Sequence, residues 1–435
     1  MAIFDAAAYT AALKIKYGKK LTSQVNDRIV VLKKFSDDSE SWVGQYVSQP
    51  ILIGRGQSFM AHGSLGLLPQ PQNETTVEQR IPVKWVRGRV QFETALMFQS
   101  TGSVGAFAKA SDLLMKRLVI NLSDELNRML SAGAGTGILA LVDATSGVGS
   151  AADPLFIDAP GGIASDGYGT RYLQPGMLVA FTPDGSTIHG IRSVSSIATE
   201  AAASSSIVLD TVGVYGTTYV NNDYIVRVAN ASVTDLSRDS AYNNEPMGLE
   251  GIVDDGTLVN PFHNINSTTY PDWASTRISV SGLSLDALQR LMDTVDQQCG
   301  EAVTDHIVHH SVRRQYLALI DTGRTFMQTG TGPGKFDLGQ EPRGVDVTYN
   351  GLPITVDRDI QLGEWLSVNK DHLTRFVLRE GEWAEETGSM FTRVPGQDAL
   401  EALYRVGVNY TSDQRNSHGK LVGMSITNAI GRHVV

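Results

Sequence analysis

The stretch SVGAFAKASDLLMKRLVINLSDELNRMLSAGAGTGI, Ser103 to Ile138, decides how the chain is read. Phe107, Leu114, Leu118, Leu122, Leu126 and Met129 recur at helical spacing and form one stripe, with Ser103 as N-cap, which predicts a helix from Ser103 to Ser131. At 1.5 Å per residue such a helix is on the order of 40 Å long, unusually extended for a globular protein. The glycines at 133, 135 and 137 follow the helix rather than precede it. A phosphate-cradling loop needs a strand, then glycines, then a helix N-terminus, because free N–H groups and the positive end of the dipole meet the anion. Here carbonyls and the negative end face the glycines, and no GKS or GKT follows, so SAGAGTGI reads as a left-handed cap and turn.

Composition limits what this helix belongs to. The chain has 435 residues, 42% of them hydrophobic and 19% charged, which is too long for one small core and too apolar for disorder. Two or three packed units are expected. There is no run of about 18 apolar residues, and the start, MAIFDAAAYT, lacks a basic n-region and an apolar h-region. These features predict a soluble chain without a membrane partner or secretory processing. Cys299 is the single cysteine, which excludes an internal disulfide and a thiolate zinc cluster and fits a reducing compartment. The formal charge of -10 argues against a dedicated nucleic-acid binder. Residues 1–35, however, carry Lys14, Lys16, Lys19, Lys20, Arg28, Lys33 and Lys34 against only Asp5 and Asp27. That basic arm is either a solvated helix face or a segment that docks on an acidic neighbour or, non-specifically, on nucleic acid.

Outward from the long helix, the pattern changes several times. Leu21, Val25, Arg28 and Leu32 predict a helical piece in the arm. Ile81, Val83 and Trp85, then Val90, Phe92, Thr94, Leu96 and Phe98, alternate as strands with one buried face. Between them and a first short strand near GQSFMA lies GSLGLLPQPQNETT, read as the tip of a long hairpin. A two-stranded ribbon is marginal alone in water and cannot bury Leu65, Leu67 and Leu68 itself, so the tip is expected to lie on another chain. After the helix, GMLVAF, TIHGIRSVSSI, SIVLD and DYIVRVAN predict a small β-barrel or sandwich within about Asp153 to Ser232. LSLDALQRLMDTVDQQCG reads as an amphipathic helix, DHIVHHS as a short buried strand, and SVRRQYLALID as a helix capped by Ser311. GVDVTYNGLPITVDRDI reads as a hairpin turning on Asn350-Gly351. In ALEALYRVGVNY, Leu400, Ala402, Tyr404, Val406, Val408 and Tyr410 share one face, and KLVGMSI is expected to close the pair.

No catalytic, cofactor-binding or metal-binding residues are assigned. Asp305, His306, His309 and His310 suggest a metal, but on a strand only His306 and His310 share a face, and a strand ending at a helix cap accounts for the pattern. Glu382, Glu385 and Glu386 in GEWAEETGS offer paired carboxylates, yet acids in a Gly-bounded loop are usually solvated. There is no G-x-S-x-G elbow, and Cys299 has no identifiable partner His.

The order of the parts resembles the major capsid protein of tailed bacteriophages, the Hong Kong 97-type capsid family. The TGI after the long helix and the closing HGKLVGM are its most suggestive local motifs. The resemblance implies an α+β fold, with an N-terminal arm over 1–54, an E-loop hairpin over 55–102 and a peripheral domain with its spine helix over 103–152. An inserted β-domain over 153–240, an axial α/β domain over 241–385 and closing peripheral strands over 386–435 complete it. The implied function is self-assembly, as pentamers and hexamers, into the icosahedral shell around a double-stranded DNA genome. The shell would be assembled in the host cytoplasm and found in the virion. Implied partners are a portal protein, packaged DNA by non-specific contact, and, as an optional partner, a decoration protein. Because the arm begins almost at Met1, a separate scaffolding protein is expected too. Two alternatives stay open: an encapsulin-type compartment shell, and a soluble α/β enzyme, which would need a pocket of convergent polar groups.

Overall fold

The computed structural model describes residues 31–38, 42, 44–54, 56, 58–62, 66–93, 104–143, 147–160, 168–200, 204–324, 347–385 and 389–425. The helical piece expected at 21–32 therefore lies outside the described residues except for Val31–Lys34, a 3-10 turn. Ser103, Leu65, Glu386 and the side chains of Phe107 and Leu114 also lie outside them.

The long helix runs Val104–Ser131. Its inward stripe of Met115, Val119, Leu122, Leu126 and Met129 shares one core with Tyr404, Val406, Val408 and Tyr410. These four lie on Ala399–Ser412, the central strand of a five-stranded sheet, whose alternation is the expected one. Leu373–Trp383 pairs on one side of it, and Lys84–Glu93 pairs on the other in register from Val408↔Lys84 to Ala399↔Glu93. A Cβ on Gly88 would stand 3.0 Å from Leu118, so the helix passes close over that strand.

The hairpin is real, but its limits differ from those expected. Tyr46–Gly54 pairs with Thr75–Pro82, so the ribbon begins ahead of residue 55 and ahead of GQSFMA. Lys84–Glu93 belongs to the five-stranded sheet instead. Pro82 explains the break, because it has no N–H to extend a ladder and the chain changes partner just after it.

Six strands, Ile138–Val142, Leu155–Asp158, Leu178–Thr182, Gly190–Glu200, Ser205–Leu209 and Tyr224–Arg227, close into a barrel. Leu139, Leu155, Phe181, Val194, Ile207, Tyr219 and Ile225 fill it. It starts at the end of the glycine turn, not at residue 153: Ile138–Val142 is a short run with no clear alternation, so its partners cannot be read locally. Two side chains fasten the barrel to the rest. Arg171 donates to the Ile360 and Arg358 carbonyls, and the Tyr172 hydroxyl donates to the Asp359 carbonyl at 3.0 Å.

A six-stranded sheet has the order Thr276–Ser279, Gly419–Val422, Trp365–Val368, Asp305–Val308, Leu352–Val356, Thr348–Tyr349. Helices Leu285–Cys299 and His310–Arg324 cover one face through Leu288, Leu291, Val295, Val312 and Tyr316. The other face presents Ile307, Leu366 and Val368 to the core of the long helix. Ser284 caps its helix by accepting from the Ala287 N–H, and Gly300 ends it at φ 72°. Asn350 and Gly351, at φ 50° and 79°, make the expected turn.

Two expectations about the end of the chain are corrected here. Gly419–Val422 does not pair with Ala399–Ser412; it runs parallel to Thr276–Ser279 and antiparallel to Trp365–Val368. Leu373–Trp383, expected in the unit 241–385, lies in the five-stranded sheet. The contacts that go with this placement are long-range: Lys420 is buried against Glu250, with Asp254 at 3.9 Å. Burial opposes that lysine's charge, but Glu250 and Glu364 raise its pKa and keep it protonated.

Candidate functional site

The ribbon is bound at its root and bare at its tip. At the root, Val47 and Ile81 pack with Phe376, and Ile51 joins the main core. Buried Gln79 donates to Thr411 Oγ1 at 2.7 Å and to the Ser412 carbonyl at 3.3 Å. The Arg80 N–H donates to the His263 carbonyl at 2.9 Å. Toward the tip, Ser58 both donates to the Gln72 carbonyl and accepts its N–H, holding the two limbs together. Beyond that clamp Phe59, Met60, Leu67 and Leu68 are 79, 60, 92 and 77% exposed. Four large apolar side chains thus stand in water on one projection. Sequence reasoning found the two leucines and missed Phe59 and Met60, because GQSFMA was taken for a strand.

The glycine turn sits where the long helix, the barrel and the segment 241–251 meet. Gly135 and Gly137 are left-handed, at φ 75° and 72°. A Cβ on Gly137 would stand 2.0 Å from the Ala241 carbonyl oxygen, and the Asn243 N–H donates to the Thr136 carbonyl at 2.9 Å. The turn is therefore a close backbone contact, and its glycines face protein.

A cleft of about 460 Å³ opens between this turn and the ribbon root, lined in part by Arg80, Lys84, Asn243, His263 and Asn409. Its polar groups are already engaged. Lys84 donates to the Asn243 carbonyl, Asn409 accepts from the Met247 and Tyr410 N–H groups, and Asn409 donates to the Pro82 carbonyl. His263 Nε2 donates to the Tyr410 carbonyl. The bond to the Pro82 carbonyl ties the end of the ribbon to the body.

The residues weighed for metal or acid chemistry are used structurally as well. His306 lies on the buried strand, with Ser367 Oγ at 3.0 Å and the Trp365 indole N–H at 3.3 Å from its Nδ1. His309 Nδ1 accepts from the Ser311 N–H and hydroxyl. The helix thus begins at His310, with His309 in the capping place expected of Ser311, and His310 does not share a strand face with His306. Among the described residues no three His, Cys, Asp or Glu are grouped to hold a metal. Glu382 stands in a strand rather than a loop, 3.1 Å from Arg405. Cys299 accepts from the Glu301 N–H, and burial pushes its thiol up.

Four imidazoles are held neutral by burial, which lowers His263 and His306 to about 4, His309 to about 2 and His418 to about 3. Nearby cations add to this: Arg171 acts on His309, and His372 on His418. Each folded pKa lies below the unfolded value of about 6.5, so the stability these groups contribute is complete above that pH and is lost as pH falls below it. His372, raised by Glu301 and Asp413 against the effect of burial, and Glu364, raised by burial and by Glu250, have the opposite sign. The four buried histidines outnumber these two, so stability should fall as the pH drops from 6.5 to 5.5. Urea midpoints measured across that range should fall, and an unchanged midpoint would show that these histidines titrate freely in the native state.

No family model matches the chain, and no curated protein does. Solved structures do. A chain of the cyanophage A-1(L) capsid asymmetric unit superposes with a TM-score of 0.53 at 11% identity, over 91% of this chain and 93% of that one. A chain from the capsid of a native GTA particle gives 0.43 at 8% identity, over 91% and 90%. One from Gordonia phage Cozz gives 0.42 at 8%, over 92% and 87%. At 11% identity the likeness to the cyanophage chain is one of architecture, and the chain accordingly has a phage capsid protein fold.

Proposed function

We propose that this chain is the major capsid protein of a tailed bacteriophage, a shell subunit that assembles with copies of itself around double-stranded DNA. The observation that carries the proposal is the ribbon with an apolar tip, on a chain with a phage capsid fold. A subunit with its own core satisfied and a bare projection gains by laying that projection on a neighbour, and closed symmetry repeats the gain around every ring. In Hong Kong 97-type terms the ribbon Tyr46–Pro82 is the E-loop and Val104–Ser131 the spine helix of the peripheral domain. The six-stranded sheet with its two helices is then the axial domain, and the barrel is an insertion between spine helix and axial domain. Leu65, Leu67 and Leu68 make the inter-subunit contact. A scaffolding protein, a portal protein and a decoration protein belong to the same reading.

Expression of the chain with the proteins of its assembly, followed by gradient sedimentation and nuclease treatment, tests this. The proposal expects fast-sedimenting closed shells with nuclease-protected DNA. Shells filled with one enzyme and no DNA would mean a compartment, and a small soluble oligomer with turnover would mean an enzyme.

A further inference from the structure

The five- and six-stranded sheets are joined by crossovers that meet at one histidine. Trp365–Val368 of one sheet passes into Leu373–Trp383 of the other through the 3-10 turn Lys370–His372. Ala399–Ser412 passes back into Gly419–Val422 through residues 413–418. A third segment, 300–304, leads from helix Leu285–Cys299 to strand Asp305–Val308 beside them. His372 stands on the first crossover. Its Nδ1 lies 2.9 Å from Asp413 Oδ1 on the second, and its Nε2 lies 2.7 Å from Glu301 Oε2 on the third.

We propose that His372 is a proton-operated clasp that holds the three crossovers between the sheets together most firmly when its ring is protonated and loosens that junction when it is neutral. A neutral imidazole has one N–H and one lone pair, whereas two carboxylates can both be bonded only by the imidazolium, which donates from both nitrogens. On loss of the proton one carboxylate faces a lone pair at under 3 Å. The junction then loses one of its ties, while the bonds of Asn369 to His418 and Glu301 and of Lys370 to Thr304 remain.

The surroundings make His372 the element that titrates. Asn369 Nδ2 donates to Glu301 at 3.2 Å, so Glu301 is held in place whether or not His372 is charged. Buried His418 stands beside the clasp on the second crossover, accepting the Asn369 N–H at Nδ1 and bonding Ser412 Oγ through Nε2. Its pKa, lowered to about 3, leaves it neutral throughout. On the clasp's own turn stand Lys370, whose N–H donates to Thr304, and Asp371, whose N–H bonds Asn369. Asp305 follows Thr304 and is paired with Lys34, which leaves Glu301 and Asp413 as the charges in contact with the ring. Burial disfavours the charged ring, but those two bonds outweigh it and raise its pKa, so the clasp is closed below about pH 6.5 and opens as pH rises through the folded value.

The full-length protein, isotope-labelled at histidine, is titrated by NMR while hydrogen exchange is followed at 300–304, 369–373 and 413–418. The proposal expects one histidine to titrate above 6.5, and protection factors in all three segments, taken relative to the intrinsic base-catalysed exchange rate at each pH, to fall several-fold together through that pH. Glu301→Gln should lower this pKa, because it removes one opposite charge. His372→Gln, which cannot change charge, should make the protection factors of the three segments independent of pH. Protection factors that stay constant with pH in the wild type, or that follow pH equally in His372→Gln, overturn the clasp. Neither result bears on whether the chain forms shells.

Discussion

Replacing Leu67 and Leu68 by serine should leave a folded chain that no longer assembles. Both side chains are almost fully exposed in the single subunit, at 92 and 77%, so their removal takes nothing from its own core. Burying each on a neighbour is worth about 1.5 to 3 kcal/mol, or about 3 to 6 for the pair at every copy of the contact. Association of identical units compounds that loss around each ring, so the expected effect on assembly is abolition. Adding Leu65→Ser extends the change to the third expected contact. Circular dichroism should stay near wild type while light scattering shows no large particles. Normal particles would show that the tip is no contact between copies, and loss of folding would place these leucines in the subunit's own core.

The second large effect lies in the glycine turn, and it separates two glycines that look alike in sequence. Gly137→Ala forces a side chain into a left-handed position, φ 72°, at a cost of about 1–2 kcal/mol. Its Cβ would also stand 2.0 Å from the Ala241 carbonyl oxygen, which cannot yield as a side chain can. With the backbone shift this requires, about 3–5 kcal/mol should be lost in all. Gly135→Ala has the same conformational cost, but its Cβ would meet the flexible end of Met247 at 3.3 Å, so about 1–2 kcal/mol is expected. Urea denaturation should rank Gly137→Ala well below Gly135→Ala. Equal midpoints would mean that the backbone contact relaxes, and nucleotide binding by the wild type would reopen the phosphate-loop reading.

What could be read from the sequence was what repeats locally. The long helix, the face shared by Ala402, Tyr404, Val406, Val408 and Tyr410, the amphipathic helix Leu285–Cys299 and the Asn350-Gly351 turn are all encoded within one element, by spacing or by a residue suited to one backbone shape. Gly419–Val422 is buried at every position, so no alternation tells which face or which sheet it joins. Its surroundings are made by residues remote in sequence, such as Glu250, which meets Lys420 across about 170 residues. Arg415 is a similar case. It is wholly buried, donates to the Gly251, Ile252 and Asp254 carbonyls, and closes the open end of helix Leu249–Ile252, yet in sequence it is one more charge in a polar turn. The histidines at 306 and 309 suggested chemistry because burial cannot be seen in a short run of letters. The ribbon tip was legible because its leucines sit among turn residues, where no core of their own is available.

Cryo-electron microscopy of particles formed by the full-length chain tests the shell assignment most directly. The account predicts a closed icosahedral shell whose wall is this chain, with the ribbon Tyr46–Pro82 of each copy lying across its neighbour and Leu67 and Leu68 covered there. Only monomers or small open oligomers, even when the assembly partners are present, would contradict it.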